Sequence, residues 1–174
     1  MKVLIAYGTT EGQTQKIAEA VAAQISELGH DFELFDTSGL KGDLHPESFD
    51  KIIIAGSVHE QQHQKAVEIF VAVNLKKLQT KPTMFLSVSL AAAFEDGLAD
   101  AQGYVDSFFG NVGWRPAQSL LVAGAVRHGE YGYYKEQILK HVVLEDRNLD
   151  DPESDHEFTD WKLLAKAIVE FIEA

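Results

Sequence analysis

Short, almost wholly apolar runs separated by longer amphipathic stretches constrain the fold of this chain more than any other feature. Four such runs stand out, namely Val3–Tyr7, Ile52–Ala55, Thr83–Val88 and Leu120–Val126. Runs of this kind are typical of parallel strands that are covered on both faces. A fifth and more mixed segment, Phe32–Phe35, is predicted to be an edge strand.

The stretches between these runs carry apolar residues at spacings of three and four, which is typical of amphipathic helices. The first predicted helix has its apolar stripe at Ile17, Val21, Ile25 and Leu28, and Gly29 ends it. Further helices are predicted over Ala66–Leu75, Gly103–Phe109, Tyr131–Val143 and Trp161–Ile172, the last with Thr159 as its N-cap residue. Strands alternating with helices predict right-handed βαβ units and an open α/β sheet with helices on both faces.

Length and charge narrow the class of protein. The 174 residues fit one domain, 1–174, and no apolar run approaches the roughly 20 residues of a membrane helix. The chain has no cysteine, which excludes disulfides and thiolate chemistry, and we expect a cytoplasmic protein. A net charge of −12 argues against nucleic-acid binding and against a broad basic face for anionic lipid.

The junction after the first apolar run, YGTTEGQTQKIA, is the strongest functional signal. Hydroxyl side chains and glycines stand where a helix begins, at the carboxyl end of a strand, and ligands bind at this edge of open parallel sheets. A helix N-terminus with free N–H groups binds phosphate without a basic side chain. The alternative is a capped strand-to-helix turn, for which one threonine would be enough. The spacing matches neither the P-loop nor the G-x-G-x-x-G motif, and the paired acids of a phospho-acceptor receiver domain are missing.

Instead, Thr9-Thr10-Glu11-Gly12-Gln13-Thr14 resembles the loop with which flavodoxins bind the terminal phosphate of FMN. Longer segments resemble the quinone-dependent protoporphyrinogen oxidases, flavodoxin-fold enzymes of bacterial haem synthesis. These segments are FLSVSLA (Phe85–Ala91), GWRPAQSLLVAGAVRHGEYGYY (Gly113–Tyr134) and FTDWKLLA (Phe158–Ala165). The predicted fold is therefore a single flavodoxin-like domain with five parallel strands in the order 2-1-3-4-5.

The resemblance also implies the site residues. FMN is the expected cofactor, with its phosphate bound by Thr9, Thr10, Glu11, Gly12, Gln13 and Thr14. The isoalloxazine is expected to lie between Ser57, Val58 and His59 on one side and Ser87, Ser89, Leu90 and Ala91 on the other. Position alone, apart from the resemblance, suggests Arg127 and His128 as candidate catalytic residues, because they follow the last strand and could bind an anionic substrate.

Two loops depart from the family. Val58-His59-Glu60-Gln61 replaces a basic-aromatic loop, and AAAFEDGLAD replaces a stretch rich in Lys and Arg. An acidic rim would repel the propionates of protoporphyrinogen. We therefore keep three hypotheses: an oxidoreductase that passes electrons from a substrate such as a porphyrinogen to a quinone, an electron carrier with a basic redox partner protein, and an FMN-dependent quinone or nitro-compound reductase. A quinone acceptor would bring the protein to the inner face of the membrane.

The first of these loops also contains His59-Glu60-Gln61-Gln62-His63, which matches the H-E-x-x-H motif of zinc proteases. In those enzymes both histidines lie in mid-helix and a third ligand follows. Here His59 comes directly after an apolar strand, and a third ligand at a convincing spacing is missing. The sequence predicts a polar loop near the flavin and no metal site.

Overall fold

The computed structural model describes residues 1–39, 44–127 and 155–174. The long strands are β1 (Lys2–Gly8), β2 (Asp31–Asp36), β3 (Lys51–His59), β5 (Thr83–Ser89) and β6 (Gln118–Ala123). Within these described ranges, three strands are only two residues long: β4 (Gln62–His63), β7 (Ala125–Val126) and β8 (His156–Glu157). The helices are α1 (Gln13–Glu27), α2 (Lys65–Leu78), α3 (Leu98–Val112) and α4 (Trp161–Glu173).

Parallel pairing orders the long strands β2-β1-β3-β5-β6. Counting these strands alone, the order is 2-1-3-4-5, and the predicted flavodoxin-like topology is confirmed. The sheet separates two apolar layers. One lies against α1 and α4 and includes Ile17, Val21 and Ile168. The other lies against α2 and α3 and includes Phe85, Phe108 and Trp114. Burial on both faces explains why the central strands are continuous apolar runs.

The helix ends follow from local chemistry. Gly29 adopts a φ of 80°, and the N–H groups of Gly29 and His30 close the end of α1 on the carbonyls of Ser26 and Ile25. The predicted N-cap of α4 is wrong by one residue. Asp160 is the cap, and its Oδ1 accepts from the N–H groups of Lys162 and Leu163 at 3.1 and 2.9 Å. A carboxylate there also complements the helix dipole.

Buried Lys51 ties the last helix to the sheet. Its Nζ donates to the carbonyl oxygens of Phe171 and Ile172 at 2.7 and 3.1 Å. These carbonyls belong to the last turn of α4, where four of them have no partner within a helix. A cation at this end also interacts favourably with the helix dipole.

The predicted strand Leu120–Val126 is interrupted at Gly124. Strand β6 ends at Ala123, and β7 pairs antiparallel with β8, so that Ala125 lies opposite Glu157. The N–H of Gly124 donates to the carbonyl of Ser89, and its own carbonyl accepts from Phe158. The chain therefore leaves the main sheet at Gly124. The predicted helix Tyr131–Val143 lies outside the described residues.

The H-E-x-x-H segment forms a β-hairpin. Val58 pairs with His63 and His59 with Gln62, while Glu60 and Gln61 turn the chain with φ values of 50° and 65°. Two successive residues with positive φ are the requirement of a tight hairpin turn. The arrangement that a zinc protease needs, two histidines on one helix face, is therefore not formed in this described segment.

His63 is buried on the face of the sheet that α3 covers. Its Nε2 is 2.9 Å from the Ser87 hydroxyl, and its ring packs against Phe85 and Phe108 at centroid distances of 5.2 and 4.9 Å. Burial among these rings lowers the pKa of His63 to about 4. The imidazole is therefore neutral in the folded protein at physiological pH.

This burial predicts a loss of stability in mild acid. Because the folded-state pKa lies below the ordinary value of 6.5, the unfolded chain binds the proton more readily between these pH values. The stabilisation is complete above pH 6.5 and declines as pH falls toward 4, by about 2 kcal/mol between pH 7 and pH 5. Urea unfolding at both pH values measures it.

The His63→Leu variant should lose most of this difference, whatever its absolute stability. His45 is exposed, and the His45→Gln variant should keep the difference. Equal pH dependence in the unmutated protein and in His63→Leu would show that the buried imidazole is not its source.

Candidate functional site

A cleft opens at the carboxyl edge of the sheet, where the loops after β1, β3, β5 and β6 meet. Strands β1 and β3 are neighbours, but β2 lies on the outer side of β1, so the chain reverses direction across the sheet here. Such a switch point separates two loops and leaves room for a ligand. The residues that line the cleft are Thr9, Thr10, Glu11, Gln13, Thr14, Ser57, Val58, His59, Val88, Ser89, Leu90, Gly124 and Ala125.

The loop after β1 presents the start of α1 to the cleft. Gly12 precedes the helix with a φ of 90°, which a residue with a Cβ atom rarely adopts, and its N–H donates to Thr9 Oγ1 at 2.9 Å. Among the described residues, no side chain caps this helix. The first N–H groups of α1 are therefore available to an anion, which the helix dipole also favours.

Two buried hydroxyls that line the cleft have no hydrogen-bond partner in the part of the chain that the structure describes. Thr14 Oγ1 and Ser57 Oγ are both inaccessible to solvent and accept or donate no hydrogen bond within the described residues. Thr14 is only 1% exposed. An unsatisfied buried polar group costs about 1–3 kcal/mol. Both residues line the cleft, so a ligand with oxygen acceptors fits the chemistry of this end of it.

Gln13, the first residue of α1, is held by its side chain. It is 5% exposed, and its Oε1 accepts from Arg127 Nη2 at 2.9 Å. Its Nε2 donates to Thr159 Oγ1 at 2.9 Å and to Glu157 Oε2 at 3.1 Å. The Thr159 hydroxyl in turn donates to the carbonyl of Ala123 at 2.7 Å. We call Gln13, Arg127, Glu157 and Thr159 the Gln13 network.

Glu157 is ionised within this network. Its partial burial would raise the pKa of the carboxyl, but donors from Lys16, Trp161 and Gln13, together with the charge of Lys16, hold that pKa below its ordinary value. Lys16 Nζ is 2.5 Å from Glu157 Oε2, and Trp161 Nε1 is 2.9 Å from Oε1. The carboxylate therefore joins α1, β8 and α4 at one point.

The other end of the cleft lies between the β3–β4 hairpin and the loop after β5. Val58 and His59 extend from β3, and Leu90 follows β5, where the Ser89 hydroxyl accepts from the N–H of Ala92 at 3.2 Å. Gln64 Nε2 donates to Thr10 Oγ1 at 2.5 Å and so links the hairpin side to the loop after β1. Apolar Val58 and Leu90 are suited to the faces of a flat ring.

Most of the predicted cofactor residues meet in this cleft. The exceptions are Gly12, which shapes the loop, Ser87, whose hydroxyl points to His63, and Ala91, which is 4% exposed in a short 3-10 turn. Arg127 contacts Gln13 and Asp155, and His128 lies outside the described residues. Sequence reasoning missed Val88, Gly124 and Ala125 as lining residues, and it missed Glu157 and Thr159 as partners of Gln13.

Comparison with known proteins identifies this architecture. Residues 4–152 match the family model described as a flavodoxin domain. Protoporphyrinogen IX dehydrogenase (quinone) of Escherichia coli strain K12 is 28% identical over 166 residues, which cover 95% of this chain and 91% of that protein. The protein of the same name from Leishmania major is 22% identical and covers 98% of this chain and 74% of its own length. The resemblance to this group of proteins is therefore confirmed.

Solved structures agree on the fold. Flavodoxin 2 from Bacillus cereus superposes with a TM-score of 0.58 at 17% identity and covers 99% of both chains. A mutant form of a flavodoxin from Pseudomonas aeruginosa gives a TM-score of 0.57 at 14% identity, also over 99% of both chains. With the family match over most of its length, the chain belongs to the flavodoxin domain family.

Proposed function

We propose that this protein is an FMN-dependent oxidoreductase and that its residues 1–174 form one FMN-binding domain. The observation that carries the proposal is a pair of buried hydroxyls that line the cleft and lack a partner among the described residues: Thr14 Oγ1 in the first turn of α1, a helix with no side-chain cap there, and Ser57 Oγ near the end of β3. In a flavodoxin domain, a phosphate group bound at the start of α1 would accept hydrogen bonds from the Thr14 hydroxyl, which has no partner among the described residues, and from the first N–H groups of the helix. The proposed phosphate ligands are the hydroxyls and N–H groups of the loop Thr9–Thr14.

The ring of the cofactor would lie at the other end of the cleft. Val58 and His59 would contact one face, and Ser89 and Leu90 the other, with Ala91 behind them. FMN would supply the exchange of one or two electrons, while the protein fixes its position and its potential. The side chains of Val58 and Leu90 would exclude water from the ring faces, and backbone N–H groups of the two loops would orient its polar edge.

The names of the relatives suggest the substrate class. The Escherichia coli and Leishmania proteins are named for the oxidation of protoporphyrinogen IX with a quinone. We propose the same overall reaction here, with electrons passing from a reduced substrate to a quinone. If the acceptor is a lipid-soluble quinone, a cytoplasmic protein would meet it at the inner face of the membrane. In the described residues, no helix is long and apolar enough to cross a membrane.

An electron-carrier function remains the second candidate because of the charge of the chain. The loop after β5 carries Glu95 and Asp96, and the chain as a whole carries a net charge of −12. Electrostatic complementarity steers acidic carriers to basic redox partners. The same charge disfavours the approach of a substrate with two propionates.

The phosphate end of the site is tested by Thr14→Val, which removes the buried hydroxyl and keeps the shape of the side chain. FMN affinity should fall about tenfold, which corresponds to the loss of roughly 1.4 kcal/mol. Without FMN, the variant should be as stable as the unmutated protein or more so, because a hydroxyl unpartnered among the described residues is gone. Quenching of flavin fluorescence and thermal unfolding measure the two effects.

Thr14→Ser keeps the hydroxyl and is the matched control, with FMN affinity close to that of the unmutated protein. A Thr14→Val protein that binds FMN at full affinity would exclude this residue from the phosphate site.

The reaction is tested by anaerobic electron exchange. We expect the reduced FMN-loaded protein to be reoxidised by a soluble quinone faster than free FMN at the same concentration, and to be reduced again by protoporphyrinogen IX. Absorbance of the flavin records both steps. Rapid exchange with a basic carrier protein, without exchange with the porphyrinogen, would favour the carrier function instead.

A further inference from the structure

The side chain of Gln13 makes three hydrogen bonds, through both of its N–H donors and its carbonyl oxygen, to residues that are remote in sequence. Its two N–H donors reach Thr159 and Glu157, and its carbonyl oxygen accepts from Arg127. These partners are 146, 144 and 114 residues away along the chain. None of these three partners belongs to the loop Thr9–Thr14. The Gln13 side chain therefore anchors that loop to Glu157 in β8 and to Thr159 before α4, and through Thr159 to Ala123 at the end of β6.

Anchoring at this residue bears directly on the free N–H groups of the cleft. Gln13 is the first residue of α1, and Thr14, with its buried hydroxyl, is the second. The Gln13 side chain is only 5% exposed, and it donates two hydrogen bonds and accepts one. These three bonds fix the orientation of the backbone at the first residue of α1. A site whose donors are already oriented binds its ligand without a further cost of ordering.

The contacts of Arg127 place it in this anchor. The guanidinium binds Gln13 through Nη2 and Asp155 through Nη1, the latter at 3.4 Å, and its side chain is 32% exposed. Its contact with the cleft therefore runs through the first residue of α1, at the phosphate end. This position differs from that of Val58, His59 and Leu90, at the end proposed for the ring.

We propose that Arg127, Glu157 and Thr159 are positioning residues that, through Gln13, preorganise the start of α1 for a phosphate monoester. The consequence is selectivity for a flavin that carries a terminal phosphate over the same flavin without one. This inference rests on the proposed function, since it names the ligand group that the same cleft recognises.

The test compares the affinity for FMN with the affinity for riboflavin, which shares the ring and lacks the phosphate. Thr159→Val removes the hydroxyl that links Gln13 Nε2 to the carbonyl of Ala123. We expect the Kd for FMN to rise about tenfold, while the Kd for riboflavin changes by less than about twofold because the ring end is untouched. Thr159→Ser should restore the ratio of the two affinities.

Two further variants complete the set. The Arg127 side chain is partly exposed, so the Arg127→Met variant should fold. This variant should also have a lower affinity for FMN and an unchanged affinity for riboflavin. Thr80→Val is the control. Thr80 follows α2, and its exposed hydroxyl donates to the carbonyl of Lys77 in the last turn of that helix, so its loss should leave both affinities unchanged.

Equal losses of FMN and riboflavin affinity in Thr159→Val would overturn the inference, as would an unchanged affinity for FMN in Arg127→Met.

If the unmutated protein bound neither flavin, the proposed function would fail. The inference would then be tested separately, by thermal unfolding in the presence of inorganic phosphate. Phosphate should then raise the Tm of the unmutated protein and of Thr159→Ser but not that of Thr159→Val. The reverse result, or no effect on any of the three, would overturn it.

Discussion

Parallel pairing of β1 with β3 and of β3 with β5 is the constraint on which the rest of this molecule depends. Parallel strands must be covered on both faces, so the central strands are apolar and the helices lie on either side. Parallel strands also end at the same edge, which brings the loops after β1, β3 and β5 together. The cleft is therefore a consequence of the topology, and the loop residues determine what it can bind.

A phosphate site formed by N–H groups and hydroxyls, without a lysine or arginine in the loop Thr9–Thr14, is compatible with the acidity of the chain. With a net charge of −12, a cluster of lysines around an anion would be an exception to the rest of the surface. The start of α1 supplies partial positive charge from the backbone instead, and the buried hydroxyl of Thr14 adds a donor. Arg127 donates to Gln13 beside this end, and carboxylates accompany its positive charge, with Asp155 paired to Arg127 and Glu157 bound to the same Gln13.

The sequence predicted the features that depend on local pattern. The long strands, the start of α1 and most residues of the cleft follow from apolar periodicity and from the GTTEGQT loop. The β3–β4 hairpin was missed because Glu60 and Gln61 are not the Asn-Gly or Asp-Gly pair that usually marks such a turn. The N-cap of α4 was misplaced because Thr159 and Asp160 are both good capping residues, and only the bond from Thr159 to Ala123 decides between them. The Gln13 network could not be predicted, because its members come together only in the folded chain.

The measurement that tests the central claim most directly is an NMR titration of the ¹⁵N-labelled protein with FMN, with riboflavin as the reference ligand. If the start of α1 binds the phosphate, the amide resonances of Gln13 and Thr14 will move downfield with FMN and not with riboflavin. The resonances of Val58 and Leu90 will move with both ligands. Amide shifts at Gln13 and Thr14 that are the same for the two flavins, or absent with FMN, would contradict the account.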